Sequence, residues 1–568
     1  MKALKEELRP LLGYIVAFSF FINLLFLVPA MFTLQVFDRV ISSNSHETLV
    51  VLLIGTAVAL IILLLLDYLR NRLQNVLGNI IDERLSPPVV RTVVAIAART
   101  PHAPRTEAVR DVASLRAVFS NNGLIALADA PWVVIYVAVI WMFHPILGMG
   151  AAFSAALMLV LAWLNDHVNR SSLEDLQKEG RRASMYVENS LRNAEVLQAL
   201  GMTDKLLARW RTLQDRVTAL HNSAGRSSVA FSASTRSVRQ AIQIGMLSLG
   251  AYLVLTQQAS AGIMIATTIL LGRAVQPVEQ LVGSWRLLID ARAAYQRLQE
   301  LSKDFEGNVE RMTMPAPDGR LVAEGVSYRA PGSDKVILYN VGFSLAPGEA
   351  LAIIGPSAAG KSTLARLLTG VWAPTTGTVR LDAADVAYWP RADLGPWIGY
   401  VPQDVELFEG SVADNIARLG TVDSEAVVIA AKRAGAHEMI LSLAQGYDTP
   451  VGEHGALLSP GQRQRIAFAR ALYGNPRLIV LDEPNSNLDG AGEIALAQAL
   501  SRLRSEGVTS IVVTHRPSLI AHVDKTLVLE GGRVKQFGPA AEVMKETQRQ
   551  TQAILANNLA GRAGATAT

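Results

Sequence analysis

The 568-residue chain contains no cysteine. Disulfides, thiolate catalysis and cysteine metal sites are therefore excluded, while the compartment stays open. Net charge is slight, at +4, which is too small to argue for a nucleic-acid partner. Charge is also missing from long stretches of the first half. Leu11–Val36, Leu49–Leu66 and Ala241–Gly272 have no Asp, Glu, Lys or Arg, and the only titratable side chains in Ala130–Leu164 besides Tyr136 belong to His144. Half of all residues are hydrophobic, which points to a membrane-embedded portion.

At about 20 residues per bilayer crossing, these runs predict six transmembrane helices. Their expected spans are 11–36, 48–67, 124–143, 145–164, 239–257 and 260–280, with a tight turn at His144-Pro145 and a break near Gln257–Ser260. Lys2, Lys5 and Arg9 precede the first run, eight arginines fall between 70 and 116, and Arg181, Arg182, Lys205, Arg209 and Arg211 mark the segment after the fourth. The opposite loops hold only Arg39. Both termini and both long segments are thus expected in the cytoplasm, with 1–10 a short cytoplasmic lead. Val187, Leu191, Ala194, Leu197 and Leu200 have helical spacing, so the membrane helices are expected to continue into the cytoplasm. Arg273 reads either as a residue of a polar pathway or as a helix-end arginine reaching for the interface. Asp129 reads as a cap of the third helix or as a substrate contact, and Trp132 as an interfacial anchor.

Prolines 315 and 317 with Asp318-Gly319 mark a linker over 314–319 between the membrane domain (11–313) and a soluble α/β domain (320–550). A polar, small-residue tail over 551–568 is expected to be flexible. The soluble domain opens its chemistry with Gly355-Pro356-Ser357-Ala358-Ala359-Gly360-Lys361-Ser362-Thr363, between an apolar strand and a helix. This is the phosphate loop: glycines turn N–H groups around a triphosphate, Lys361 meets the outer phosphates and the Ser362 hydroxyl meets Mg²⁺. The strand Leu478–Leu481 ends in Asp482, placed for Mg²⁺ through water, and Glu483, placed to polarise a water near the γ-phosphate.

Leu458-Ser459-Pro460-Gly461-Gln462 resembles the L-S-G-G-Q signature of ABC ATPases. Further pieces are similar and in order: Gln403 to the Q-loop glutamine that also meets the metal, Ser486–Asp489 to the D-loop, His515 to the switch histidine, and Tyr328 to the aromatic residue that stacks on adenine. In that family Ser459, Gly461 and Gln462 would meet ATP held by the Lys361 loop of a second subunit. The resemblance implies a homodimer that sandwiches two ATPs with Mg²⁺. Pro460 departs from the pattern and removes one N–H donor.

Val451-Gly452-Glu453-His454-Gly455 resembles the exporter segment that touches the partner's cytoplasmic loop, with Pro450 and His454 departing from it. Leu34–Val40 after the first helix, Asp129–Trp132 entering the third, and Glu483-Pro484-Asn485-Ser486 resemble the type I secretion family, in its protease and haemophore branch. About ten residues precede the first run, which disfavours relatives with an N-terminal peptidase-like domain. The resemblance implies a six-helix exporter domain fused to an ABC ATPase. It also implies ATP-driven export of an unfolded polypeptide with a C-terminal signal across an inner membrane. Its partners would be a periplasmic membrane-fusion protein and a TolC-like outer-membrane channel. An exporter of lipids, drugs or other small amphiphiles shares every ATPase residue and is the alternative; a regulatory ABC protein without transport is the second.

Overall fold

The computed structural model describes residues 2–99, 107–121, 123–191, 193–305, 314–331, 334–546 and 549; the expected tail over 551–568 lies outside them. Two compact units divide the chain, a helical one over residues 1–94 and 104–307 and a second over 95–103 and from 308 onward.

The helical unit contains α1 (Lys2–Leu25), α2 (Val28–Gln35), α3 (His46–Arg99), α4 (Glu107–Ser120), α5 (Gly123–Asp129), α6 (Trp132–Phe143), α7 (Pro145–Leu191), α8 (Ala194–Ala199), α9 (Thr203–Leu255) and α10 (Ala261–Phe305). Among the described residues, five helical segments are long and apolar enough to cross a membrane: Glu6–Ser43, His46–Arg99, Gly123–Phe143, Val229–Leu255 and Ala261–Leu281. A sixth, Pro145–Leu161, is apolar but shorter. These segments overlap the six uncharged runs. The most apolar window of α3 buries none of its residues within the chain, so its side chains need an apolar surrounding from outside. Between α6 and α7 the chain turns at an extended His144, and Pro145 opens α7, where a missing N–H costs nothing.

The first run is not one helix. Pro29 has no N–H for the Leu25 carbonyl and its ring clashes there, so α1 stops at Leu25 and α2 begins after a turn. Leu34–Val40 lies within the rod rather than after it, and Val36–Val40 widens into a π turn. There Asp38 accepts hydrogen bonds from Ser260 Oγ (2.7 Å) and the Gly262 N–H (3.1 Å), which caps the start of α10. The spacing Val187–Leu200 does not make one helix either. Asn193 and Leu200–Met202 break it and isolate the short α8.

Asp129 caps nothing: α5 ends on it, and α6 starts after Pro131 without a side-chain cap. Its buried carboxylate accepts from Asn23 Nδ2 at 2.7 Å and faces Arg70 Nη1 at 3.4 Å. Arg70, also buried, donates to Ser19 Oγ (3.1 Å) and Asp67 (2.8 Å), while Tyr136 OH donates to the Asn23 carbonyl (2.9 Å). This network ties α1, α3, α5 and α6 together. Trp132 is buried against Phe20 and Tyr136 instead of anchoring at an interface. Arg273 sits within α10 rather than at its end, 4.0 Å over the Phe26 ring and 3.1 Å from Gln276 Oε1.

The second unit holds β1 (Leu321–Arg329), β2 (Val336–Leu345), β3 (Ala350–Ile354), β4 (Thr376–Leu381), β5 (Ala384–Asp385), β6 (Ile398–Val401), β7 (Leu478–Asp482), β8 (Thr509–Val513), β9 (Lys525–Glu530) and β10 (Arg533–Pro539). An antiparallel sheet has the order β2-β1-β4-β5, and a larger sheet runs β10-β9-β3-β8-β7-β6. In the larger sheet only β10 is antiparallel. Its central strands β7 and β8 are buried at every position because both faces are covered. Alternate residues of β7 show this: Ile479 and Leu481 enter one core, Leu478 and Val480 the other.

Candidate active site

Parallel strands carry their C-terminal ends to one edge, and loops gather there. β3 runs into Gly355–Gly360 and then α11 (Lys361–Leu368); β6 leads to Gln403; Glu483 follows β7; Thr514 and His515 follow β8. β8 lies between the strand that ends in Asp482 and the strand that leads into the phosphate loop. The shared edge, not adjacency, brings Asp482 to the loop.

Gly355 has φ +154° and a Cβ there would lie 2.0 Å from the Leu529 carbonyl oxygen, so only glycine fits. Gly360, at φ +96°, precedes α11 without a side-chain cap, which leaves the first-turn amides of Lys361, Ser362 and Thr363 as an anion-binding helix start. Lys361 Nζ donates to the carbonyls of Gly355 and Pro356, both at 2.9 Å. Burial pushes its pKa below the ordinary lysine range, against the upward pull of Glu483 and Asp482.

Glu483 Oε2 accepts from Gln403 Nε2 at 3.3 Å, and its Oε1 lies 3.8 Å from His515 Nε2. Ser362 Oγ lies 3.5 Å from Gln403 Oε1. The four residues therefore form one connected cluster. Asp482 is buried and neither carboxylate oxygen has a hydrogen-bond partner. Burial pushes its pKa up. An unsatisfied buried carboxyl near a serine hydroxyl is an oxygen donor set that suits a hard divalent cation. Glu483 itself has φ +50°, a conformation that costs a residue with a Cβ about 1–3 kcal/mol and persists only where the surroundings enforce it. Its N–H donates to the Val513 carbonyl (3.0 Å) and its carbonyl accepts from Gln464 Nε2 (3.2 Å).

The signature segment opens α12 (Pro460–Leu472). Ser459 is its N-cap, and the Ser459 side chain accepts from the Gln462 N–H. Proline at the first helical position loses only an N–H that has no intrahelical acceptor, so the departure from glycine costs the helix nothing. Gln462 closes a capping box with Ser459: its Oε1 accepts from the Ser459 N–H at 2.8 Å. An open groove here is lined by Ser459, Gly461, Gln462, Arg465, Asn487 and Asp489. Asp489 caps α13 (Gly490–Ser505) through the Gly492 N–H (2.8 Å).

Tyr328 lies within β1 and is buried with its ring stacked on Trp372 at 5.1 Å. One face is therefore taken by protein. Three residues near the site went unselected from sequence: Trp372, Gln464, and Asn485 as a contact of the switch region, whose Oδ1 accepts from Thr514 Oγ1 (3.2 Å). Gln464 did leave a signal, a polar residue on the buried stripe of Phe468 and Leu472. Trp372 left none.

Two family descriptions match the chain: the ABC transporter transmembrane region over residues 12–278, and the ABC transporter over 338–486. The type I secretion system ATP-binding protein PrsD of Rhizobium meliloti is 39% identical, across 98% of this chain and 96% of that protein. The cyclolysin secretion/processing ATP-binding protein CyaB of Bordetella pertussis is 31% identical over 93% of this chain and 75% of its own length. A solved bacterial Atm1-family ABC exporter with ATP bound has the same fold, with TM-score 0.77 over 95% of this chain and 96% of that one at 22% identity. With the membrane helices and the ATP-site cluster on one chain, these likenesses make it a member of the ABC transporters of the type I secretion family, a multi-pass membrane protein that couples ATP hydrolysis to transport.

Proposed function

We propose that two copies of this chain close on two ATPs and drive an unfolded polypeptide, recognised through its C-terminal signal, across a Gram-negative inner membrane. The ATPase domain and both termini face the cytoplasm. A periplasmic membrane-fusion protein and a TolC-like outer-membrane channel carry the substrate onward. The observation that carries protein export is the likeness to a secretion protein along 98% of the chain.

At each site the Gly355–Gly360 loop and the start of α11 hold the phosphates, and Lys361 neutralises the outer ones. Ser362, Asp482 and Gln403 hold Mg²⁺, which neutralises charge on the phosphates when bound. Glu483 accepts a proton from the attacking water, while His515 and Gln403 hold its carboxylate in place. Ser459 and Gly461 of the partner subunit face the same ATP from the other side. Closure on ATP and release after hydrolysis shift the membrane helices between states.

The test uses the purified full chain and C-terminal fragments of secreted proteins encoded beside it. A matching fragment is expected to bind the dimer and to change its hydrolysis rate. If no candidate fragment binds while lipid or a small amphiphile stimulates hydrolysis, the export reading fails in favour of an amphiphile pump.

A further inference from the structure

Gln464 has no place in the ATP chemistry described above, yet both ends of its buried amide are spent on the catalytic loop. Nε2 donates to the carbonyl of Glu483 at 3.2 Å, and Oε1 accepts the N–H of Asn487 at 3.0 Å. It stands on the apolar stripe of α12 with Phe468 and Leu472, where an unpaired amide would be costly. One turn earlier on that helix, Gly461 lies so close to the same loop that a Cβ there would stand 2.8 Å from the Asn487 carbonyl oxygen. Arg465 adds a third tie, to Asp489 at 2.5 Å. The loop from Glu483 to Asp489 is thus fastened along the face of α12, and the same helix begins at Ser459 in the open groove.

We infer that Gln464 is a positioning residue: it holds Glu483 in its left-handed backbone conformation and ties that glutamate to the signature helix. The inference rests on the proposed shared site. A phosphate that docks on Ser459 pulls on α12, and Gln464 passes the shift to the Glu483 of the same chain, which serves the other ATP. Each site's chemistry is thereby tuned by the occupancy of its neighbour.

The experiment uses mixed dimers purified through two different tags. One chain carries Glu483→Gln, so only the other chain's glutamate can act. Gln464→Met, which keeps the volume and loses both hydrogen bonds, is placed in either chain. In the chain with intact Glu483 it should lower kcat about tenfold or more, with nucleotide Kd within about twofold, since small misplacement of a reacting group costs up to about 100-fold. In the opposite chain the loss should be at least several times smaller. Gln464→Glu, which keeps the acceptor for Asn487 and loses the donor to Glu483, should behave as Gln464→Met does. Equal losses from both placements, or a kcat loss matched by lost nucleotide binding, would overturn the assignment. If Gln464→Met fails to assemble, Gln464→Glu is read alone by the same comparison. A control places Ser459→Arg opposite the intact Glu483. Hydrolysis that survives it removes the shared-site reading, while the Gln464 comparison still stands on its own.

Discussion

A left-handed backbone at Glu483 puts its carboxylate between Gln403 and His515, and that placement is sustained by main-chain bonds to Val513 and Gln464. Glu483→Gln leaves the backbone and the side-chain volume unchanged but removes the basic oxygen. Nucleotide affinity should stay within about threefold while turnover falls about 100-fold or more, as loss of a general base predicts. Nucleotide binding and phosphate release on the same preparation check this, and turnover within tenfold of the parent would take Glu483 out of the base role. Lys361, Ser362, Asp482 and Glu483 were legible in the sequence because phosphate chemistry needs those residue types at fixed spacings after strands. Gln464 was not, because its partners are backbone atoms 19 and 23 residues away. Nothing in the spacing reports such a bond. Trp372 was not legible either, because its stacking on Tyr328 is a tertiary contact.

Among the elements, hydrophobic run length told where apolar helices occur and less about how they are built. It cannot register a break of one turn, so the Pro29 interruption passed as continuous helix, and the π turn at Val36–Val40 was placed beyond the helix end. Nor does it show what a lone polar residue bonds to. Asp129 bonds to Asn23, 106 positions away, and faces Arg70 from another helix. Removing one member of a buried ionic network leaves an uncompensated charge, so Asp129→Ala should destabilise the helical unit by about 3–5 kcal/mol. Asp129→Asn, which keeps an acceptor for Asn23, should cost less. Thermal unfolding of the solubilised protein followed by tryptophan emission is the measurement. An unchanged midpoint for the alanine variant would remove the pinning role and return Asp129 to the substrate path.

For the whole molecule, two surfaces need more than the chain itself. Leu53, Ile54, Ile61 and Leu64 project from α3 with no cover from the fold and suit a bilayer, whereas the groove at Ser459 is open to a second chain. With hydrolysis blocked by Glu483→Gln, ATP should hold two 61.2-kDa chains together through size-exclusion with light scattering. A single-chain mass with full activity in the parent protein would exclude the sandwich. The long helices set how such closure travels. α3 contains Pro87 and Pro88 and α10 contains Pro277, whereas the 53 residues of α9 include no proline at all. A rod roughly 80 Å long without proline lacks the commonest cause of a sharp kink. It behaves as a lever arm: a 3° swing at Thr203 returns as about 4 Å of travel at Leu255. A displacement at one end of a straight α9 therefore reaches the other, whereas the prolines of α3 and α10 mark where those helices can bend.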